Sequence, residues 1–98
     1  MAQIIYSDQA LSDLDSLTDF LLRDAPAAAL ETAELIIEAM EVLANHPLIG
    51  RDVEYGLQEL VISRGKSGYL ALYSYEANQD VVLVLSIRHQ REVGYVSE

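Results

Sequence analysis

The stretch "LSIRHQREVGYVSE" at the end of the chain sets Arg88, His89, Arg91 and Tyr95 close together, and these four carry the clearest chemistry in the sequence. An imidazole gives and takes protons near neutral pH. A guanidinium holds a phosphate or carboxylate through two parallel hydrogen bonds, and a phenol can donate a proton. His89 as acid or base, Arg91 as phosphate holder and Tyr95 as proton donor make a candidate set for phosphoryl chemistry. The same residues also have a structural reading, in which His89 ends a strand and bonds Tyr95 or a loop carbonyl. Arg88 and Arg91 would then pair with Glu92 or Glu59 at the surface, for about 0–1 kcal/mol each. Strand alternation sends Ile87 and His89 to one face and Arg88 to the other.

Cations stand out here because the chain has few. Its 98 residues hold six Lys and Arg against 16 Asp and Glu, for a net charge of −10. Residues 1–49 carry nine acids against Arg23 alone. Residues 50–98 carry seven against Arg51, Arg64, Lys66, Arg88 and Arg91, so the halves stand at −8 and −2. Such a field opposes non-specific binding to nucleic acid, which depends on matched cations. An anionic target must be met locally, by Arg51, Arg64, Lys66, Arg88 and Arg91. There is no cysteine, and the two histidines, His46 and His89, are far apart in sequence. No metal site or cofactor is indicated, and the missing thiols fit a reducing cytoplasm. The N-terminus lacks the pattern of a signal peptide, and no apolar run approaches the ~20 residues of a membrane helix. A cytoplasmic protein of one domain, residues 1–98, is expected.

These residues must be carried by regular elements. "QIIY" reads as an opening strand near residues 2–6. Ser7 or Asp8 can cap a helix in which Leu11, Leu14, Leu17 and Leu21 recur at helical spacing, with Asp13, Asp15 and Asp19 off that stripe. Pro26 ends the first helix near Asp24 and opens a second. In the second, Leu30, Ala33, Ile37, Met40 and Ala44 form the expected apolar stripe, widened by Ile36 and Leu43. Glu31, Glu34, Glu38 and Glu41 form a solvated face, and Asn45, His46 and Pro47 stop the helix. "PLIGRDVEYG" is a loop, in which Arg51 either caps carbonyls of the second helix or meets a partner. "LQELVIS", "GYLALYSYE" and "DVVLVLSIRH" are strands joined by hairpins at "RGKSG" and "EANQD". The last is apolar enough to be a central strand covered on both faces. Tyr69, Tyr73 and Tyr75 share one face, as packing residues rather than as a stacking platform for bases. The order β-α-α-β-β-β specifies an α+β fold: a twisted, mainly antiparallel sheet with a helical hairpin on one face.

That order, with "HPLIGR", "LQELVIS", "GYLALYSY" and "VLVLSIRHQREVGY", resembles the ParE branch of the RelE/ParE toxin superfamily over nearly the whole chain. The resemblance implies the toxin of a type II toxin–antitoxin (plasmid stabilisation) module, neutralised by a cognate antitoxin, with hetero-oligomers plausible. ParE-type members act by protein–protein interaction on DNA gyrase. RelE-type members are ribosome-dependent mRNA endonucleases and place an arginine inside the third strand, where "YLALY" has Leu70. The resemblance therefore favours a binding protein over an enzyme. The endonuclease, with His89, Arg91 and Tyr95 at the scissile phosphate, is one alternative; a non-toxic member that only binds antitoxin is another. DNA mimicry toward gyrase is a further reading of the acidic face of the second helix. The acidity itself departs from the family, whose toxins are more often basic.

Overall fold

A computed structural model describes residues 1–64 and 67–90. The β-branched pair Ile4 and Ile5 lies in β1 (Gln3–Tyr6). Ser7 then turns the chain into α1 (Asp8–Asp24), its hydroxyl accepting the Ala10 N–H at 3.0 Å. Asp8 in the first turn and Arg23 in the last oppose the helix dipole with the right signs. A single residue, Ala25, separates α1 from α2 (Pro26–Asn45), and Pro26 fits the first helical position because its missing N–H would have been unpaired there. Both helix boundaries agree with the sequence reading.

After α2 come β2 (Arg51–Asp52), a 3₁₀ turn at Glu54–Gly56, β3 (Gln58–Arg64), β4 (Ser67–Glu76) and β5 (Val81–His89). The expected loop thus contains a two-residue strand. The sheet order is β1-β5-β4-β3-β2, with β1 parallel to β5 and every other pair antiparallel. Both helices pack on one face. There Ala10, Ile36, Met40 and Leu43 meet Ile62, Tyr69, Ala71, Tyr73, Val82, Val84 and Ile87. Tyr69 and Tyr73 are core and Tyr75 packs against it half-buried, as the alternation implied.

Three expectations need correction. Leu30 and Ile37 are 65% and 59% exposed, and Ala33 is exposed too; the buried set on α2 is Thr32, Ile36, Met40, Leu43 and Ala44. The adjacent pair Ile36–Ile37 allowed two stripes, and packing chose the one about one position round the helix. On α1, Leu11 is exposed and Ala10 takes the inward place. β5 has strands on both sides, but among the described residues α1 and α2 cover only one of its faces. Val81, Leu83 and Leu85 on the rest of the strand are half-buried.

β5 also carries an irregularity that its sequence did not announce. Tyr73 faces Val84 while Leu72 faces Ser86, so Leu85 is an extra residue. Strict alternation from Val82 and Val84 would turn Ser86 and Arg88 toward the helices. The bulge resets the register, so that Ile87 and His89 point to the helices and Arg88 to the open face.

Candidate functional site

The end of β5 is fixed by the start of α1. The Ser7 N–H donates to Val84 O at 2.9 Å, and the Ser7 hydroxyl donates to Leu85 O at 2.9 Å. The Asp13 carboxylate accepts the Ile87 N–H at 3.0 Å. β1 stops opposite Val84, so these two α1-side groups take over its ladder and satisfy backbone atoms that would otherwise be orphaned. Asp13 was read only as a residue off the apolar stripe. Sequence periodicity gives no sign that it reaches a strand 74 positions away.

On the helix side of this end lies a cleft of about 750 Å³ bounded by Asp13, Phe20 and Arg23 of α1 and by Tyr69, Ile87 and His89 of the sheet. His89, half-buried, meets the Tyr69 ring edge-on, with centroids 5.3 Å apart and planes at 81°. The buried Tyr69 hydroxyl lies 3.5 Å from Thr32 Oγ1 of α2. Tyr69 therefore links α2 to the end of β5, a role its place in the tyrosine stripe hinted at without specifying.

The other face of the sheet differs in character. Leu70, only 9% exposed, stands between Val61 of β3 and Arg88 of β5 in one cross-strand row. Leu72 and Leu83 are half-buried on the same face, while Ile5 and Val61 are exposed. The face is mixed: these apolar residues stand beside Ser74, Ser86 and the Arg51–Glu59 pair, with Arg88 exposed at its end.

The cations singled out from the sequence scatter over this framework. Arg51 sits in β2 directly across from Glu59 and pairs with it at 2.5 Å, so it caps no carbonyl of α2. That pairing also takes the carboxylate of Glu59, one of the two partners read for Arg88 and Arg91. Arg64 ends β3 opposite Ser67. Arg88 and His89 are on opposite faces, as expected. Lys66, Arg91, Glu92 and Tyr95 lie outside the described residues, and so does Gly65 of the "RGKSG" turn. Among the described residues, no three or more His, Asp or Glu side chains gather where they could hold a metal ion. No helix among them is long and apolar enough to cross a membrane.

The match to known proteins follows this architecture. Residues 4–94 match the family model described as the ParE toxin of the type II toxin–antitoxin system parDE. The chain belongs to the ParE toxin family. It is 35% identical to Toxin RelE3 of Caulobacter vibrioides over 92 residues, 94% of this chain and 98% of that protein. Among solved structures, the chromosomal ParDE system from P. aeruginosa superposes with a TM-score of 0.70 at 22% identity, covering 91% of this chain and 96% of that one. The toxin–antitoxin complex RelBE of E. coli gives 0.60 at 15% identity, covering 90% and 95%. At such identities the structures establish a shared fold. The chain is thus a type II toxin of the ParE/RelE superfamily, with two helices on a mixed five-stranded sheet.

Proposed function

We propose that this ParE-family chain acts by holding a protein target, DNA gyrase, and is neutralised by an antitoxin docked on the open face of its sheet. The observation that carries the reading is Leu70. At the place where the endonuclease branch has a strand arginine, this chain has a leucine set among Val61, Leu72 and Arg88. Cleaving RNA requires several cations around the in-line phosphate, and here the strand position itself is a leucine, with Arg88 the described cation across from it. A face with exposed Ile5 and Val61 suits instead the apolar side chains of a bound polypeptide. Arg88 at its end offers a fork for a partner carboxylate, with Arg64, Lys66 and Arg91 as further candidates. That the structural relatives include the ParDE and RelBE toxin–antitoxin systems supports an antitoxin as the first partner. The cytoplasm is where both partners would be met.

One observation favours the second reading. His89 faces a roomy cleft with Arg23 and Asp13 nearby, which could serve proton transfer on RNA. Inducing the chain in cells separates the two. The binding reading expects a DNA-damage response with trapped gyrase complexes and intact mRNA. Ribosome-dependent mRNA cutting that disappears in His89→Ala would establish the endonuclease instead, and unimpaired growth would leave a non-toxic antitoxin binder.

A further inference from the structure

The end of the sheet away from Arg88 and His89 carries a strained turn that packing does not explain. Glu54–Gly56 joins β2 to β3, closed by Leu57 N–H donating to Glu54 O at 3.3 Å and Val53 N–H donating to Leu57 O at 2.9 Å. Tyr55 stands there at φ 63° and ψ 30°, and Gly56 follows at φ 71°. Two successive left-handed residues are the pattern that hairpin turns fill with Asn-Gly or Gly-Gly, because a Cβ crowds the backbone in that region. This chain has a tyrosine at the first position, and the ring gains nothing from the fold in return: Tyr55 is 92% exposed. A local rule broken at the surface, with no burial to offset it, marks a residue kept for what it meets outside the chain.

Leu48 and Ile49 are exposed as well, at 68% and 53%. The loop that carries them is held from within to the strand that leaves the turn. The buried Gln58 side chain donates to Leu48 O at 3.4 Å and to Gly50 O at 3.1 Å, while the Gly50 N–H donates to Tyr73 Oη at 2.9 Å. These apolar side chains therefore stand on backbone that is already ordered, and a partner need not order it on binding. The charge around them is acidic. Asp52 and Glu54 are exposed, and the β4–β5 turn brings Glu76 and Asp80 to the same end. Arg51 is paired with Glu59, the Met1 amine lies 4.0 Å from Asp80, and Arg64 is at the opposite end of β3. Both undescribed segments, 65–66 and 91–98, also leave the described chain at that opposite end.

We propose that Tyr55, Leu48 and Ile49 are the part of this toxin that seats in its protein target, in an apolar hollow rimmed by Lys or Arg. The inference rests on the target reading above and adds where the contact lies. A protein that grips DNA carries such basic surface, because phosphate binding depends on cations. Tyr55 supplies a large ring for the hollow, while Asp52 and Glu54 meet the rim and speed encounter. A second copy of this chain is a poor occupant, since it brings the same acids and a net charge of −10.

The test titrates purified DNA gyrase against the labelled full chain and its variants, with denaturant melting of each alongside. Tyr55→Asn puts a residue suited to left-handed backbone in the turn. It should raise the denaturant midpoint and yet weaken gyrase binding by about tenfold or more. Leu48→Ser should weaken binding with little change in melting. Leu30→Ser, which alters a comparably exposed leucine of α2, should leave binding unchanged. Glu54→Lys should slow association, as should added salt for the unaltered chain. Binding by the unaltered chain that Tyr55→Asn leaves intact overturns this inference alone. No binding by the unaltered chain overturns the gyrase reading and the inference with it. A midpoint that fails to rise in Tyr55→Asn, or an equal loss of binding in Leu30→Ser, also overturns it. Self-association that disappears in Leu48→Ser would assign the patch to a second copy instead.

Discussion

Gly50 shows how much of this fold hangs on a single contact. A Cβ there would lie 2.6 Å from the Tyr73 hydroxyl and 2.8 Å from the Glu59 carbonyl oxygen. One neighbour is backbone and the other a fully buried ring, so neither can yield cheaply. Gly50→Ala should destabilise by about 1–3 kcal/mol, read as a lowered denaturant midpoint with unchanged slope. Tyr73→Phe keeps the ring but leaves the Gly50 N–H unpaired, and should cost a comparable ~1–3 kcal/mol. Burial pushes the Tyr73 hydroxyl above the ordinary 10.0, against the Gly50 hydrogen bond that lowers it, and nearby Asp52 adds to the rise. Tyr6 is raised by burial alone, and Tyr75 chiefly by its bond to Asp80. In each case the folded chain holds the proton more tightly than the unfolded one. The corresponding stability is intact below the unfolded value near 10.0 and is lost as pH rises through the higher folded values. Alkaline titration followed by tyrosinate absorbance and circular dichroism should therefore show Tyr73 ionising together with unfolding, and Tyr73→Phe should flatten the decline above that pH.

Among the elements, α1 anchors the end of β5 more than its apolar stripe suggests. Asp13→Ala leaves the Ile87 N–H without its acceptor and should cost about 1–3 kcal/mol, with faster amide exchange at Ile87. Asp13→Asn keeps an acceptor oxygen and should lose less. Helix boundaries were legible because local chemistry sets them: Ser7 as cap, Pro26 as first-turn residue, and the Asn45–His46–Pro47 stop. The facing of α2 was not, since a helix with apolar residues at both 36 and 37 leaves its rotation to tertiary packing. The bulge at Leu85 was equally hidden. Ser7 and Asp13 hold the β5 backbone on either side of it from outside the strand, contacts between distant positions that no local pattern encodes. Yet the bulge decides which face receives Arg88 and which His89.

For the whole molecule, hydrophobic pattern and element order were enough to specify a helical hairpin on one side of a mainly antiparallel sheet of four strands, to which the structure adds the two-residue β2, and a second face that neither α1 nor α2 covers. Of the candidate site, the alternation at Ile87, Arg88 and His89 was read correctly. The partner of Arg51 was not, because a two-residue strand sends no periodic signal. The open face supports the binding account only if it meets a protein. The most direct measurement is supercoiling by purified DNA gyrase in the presence of this chain and of its Arg88→Glu variant, both confirmed folded by melting. The account predicts inhibition by the unaltered chain and clear weakening in the variant. Undiminished supercoiling at an excess of the unaltered chain would contradict it.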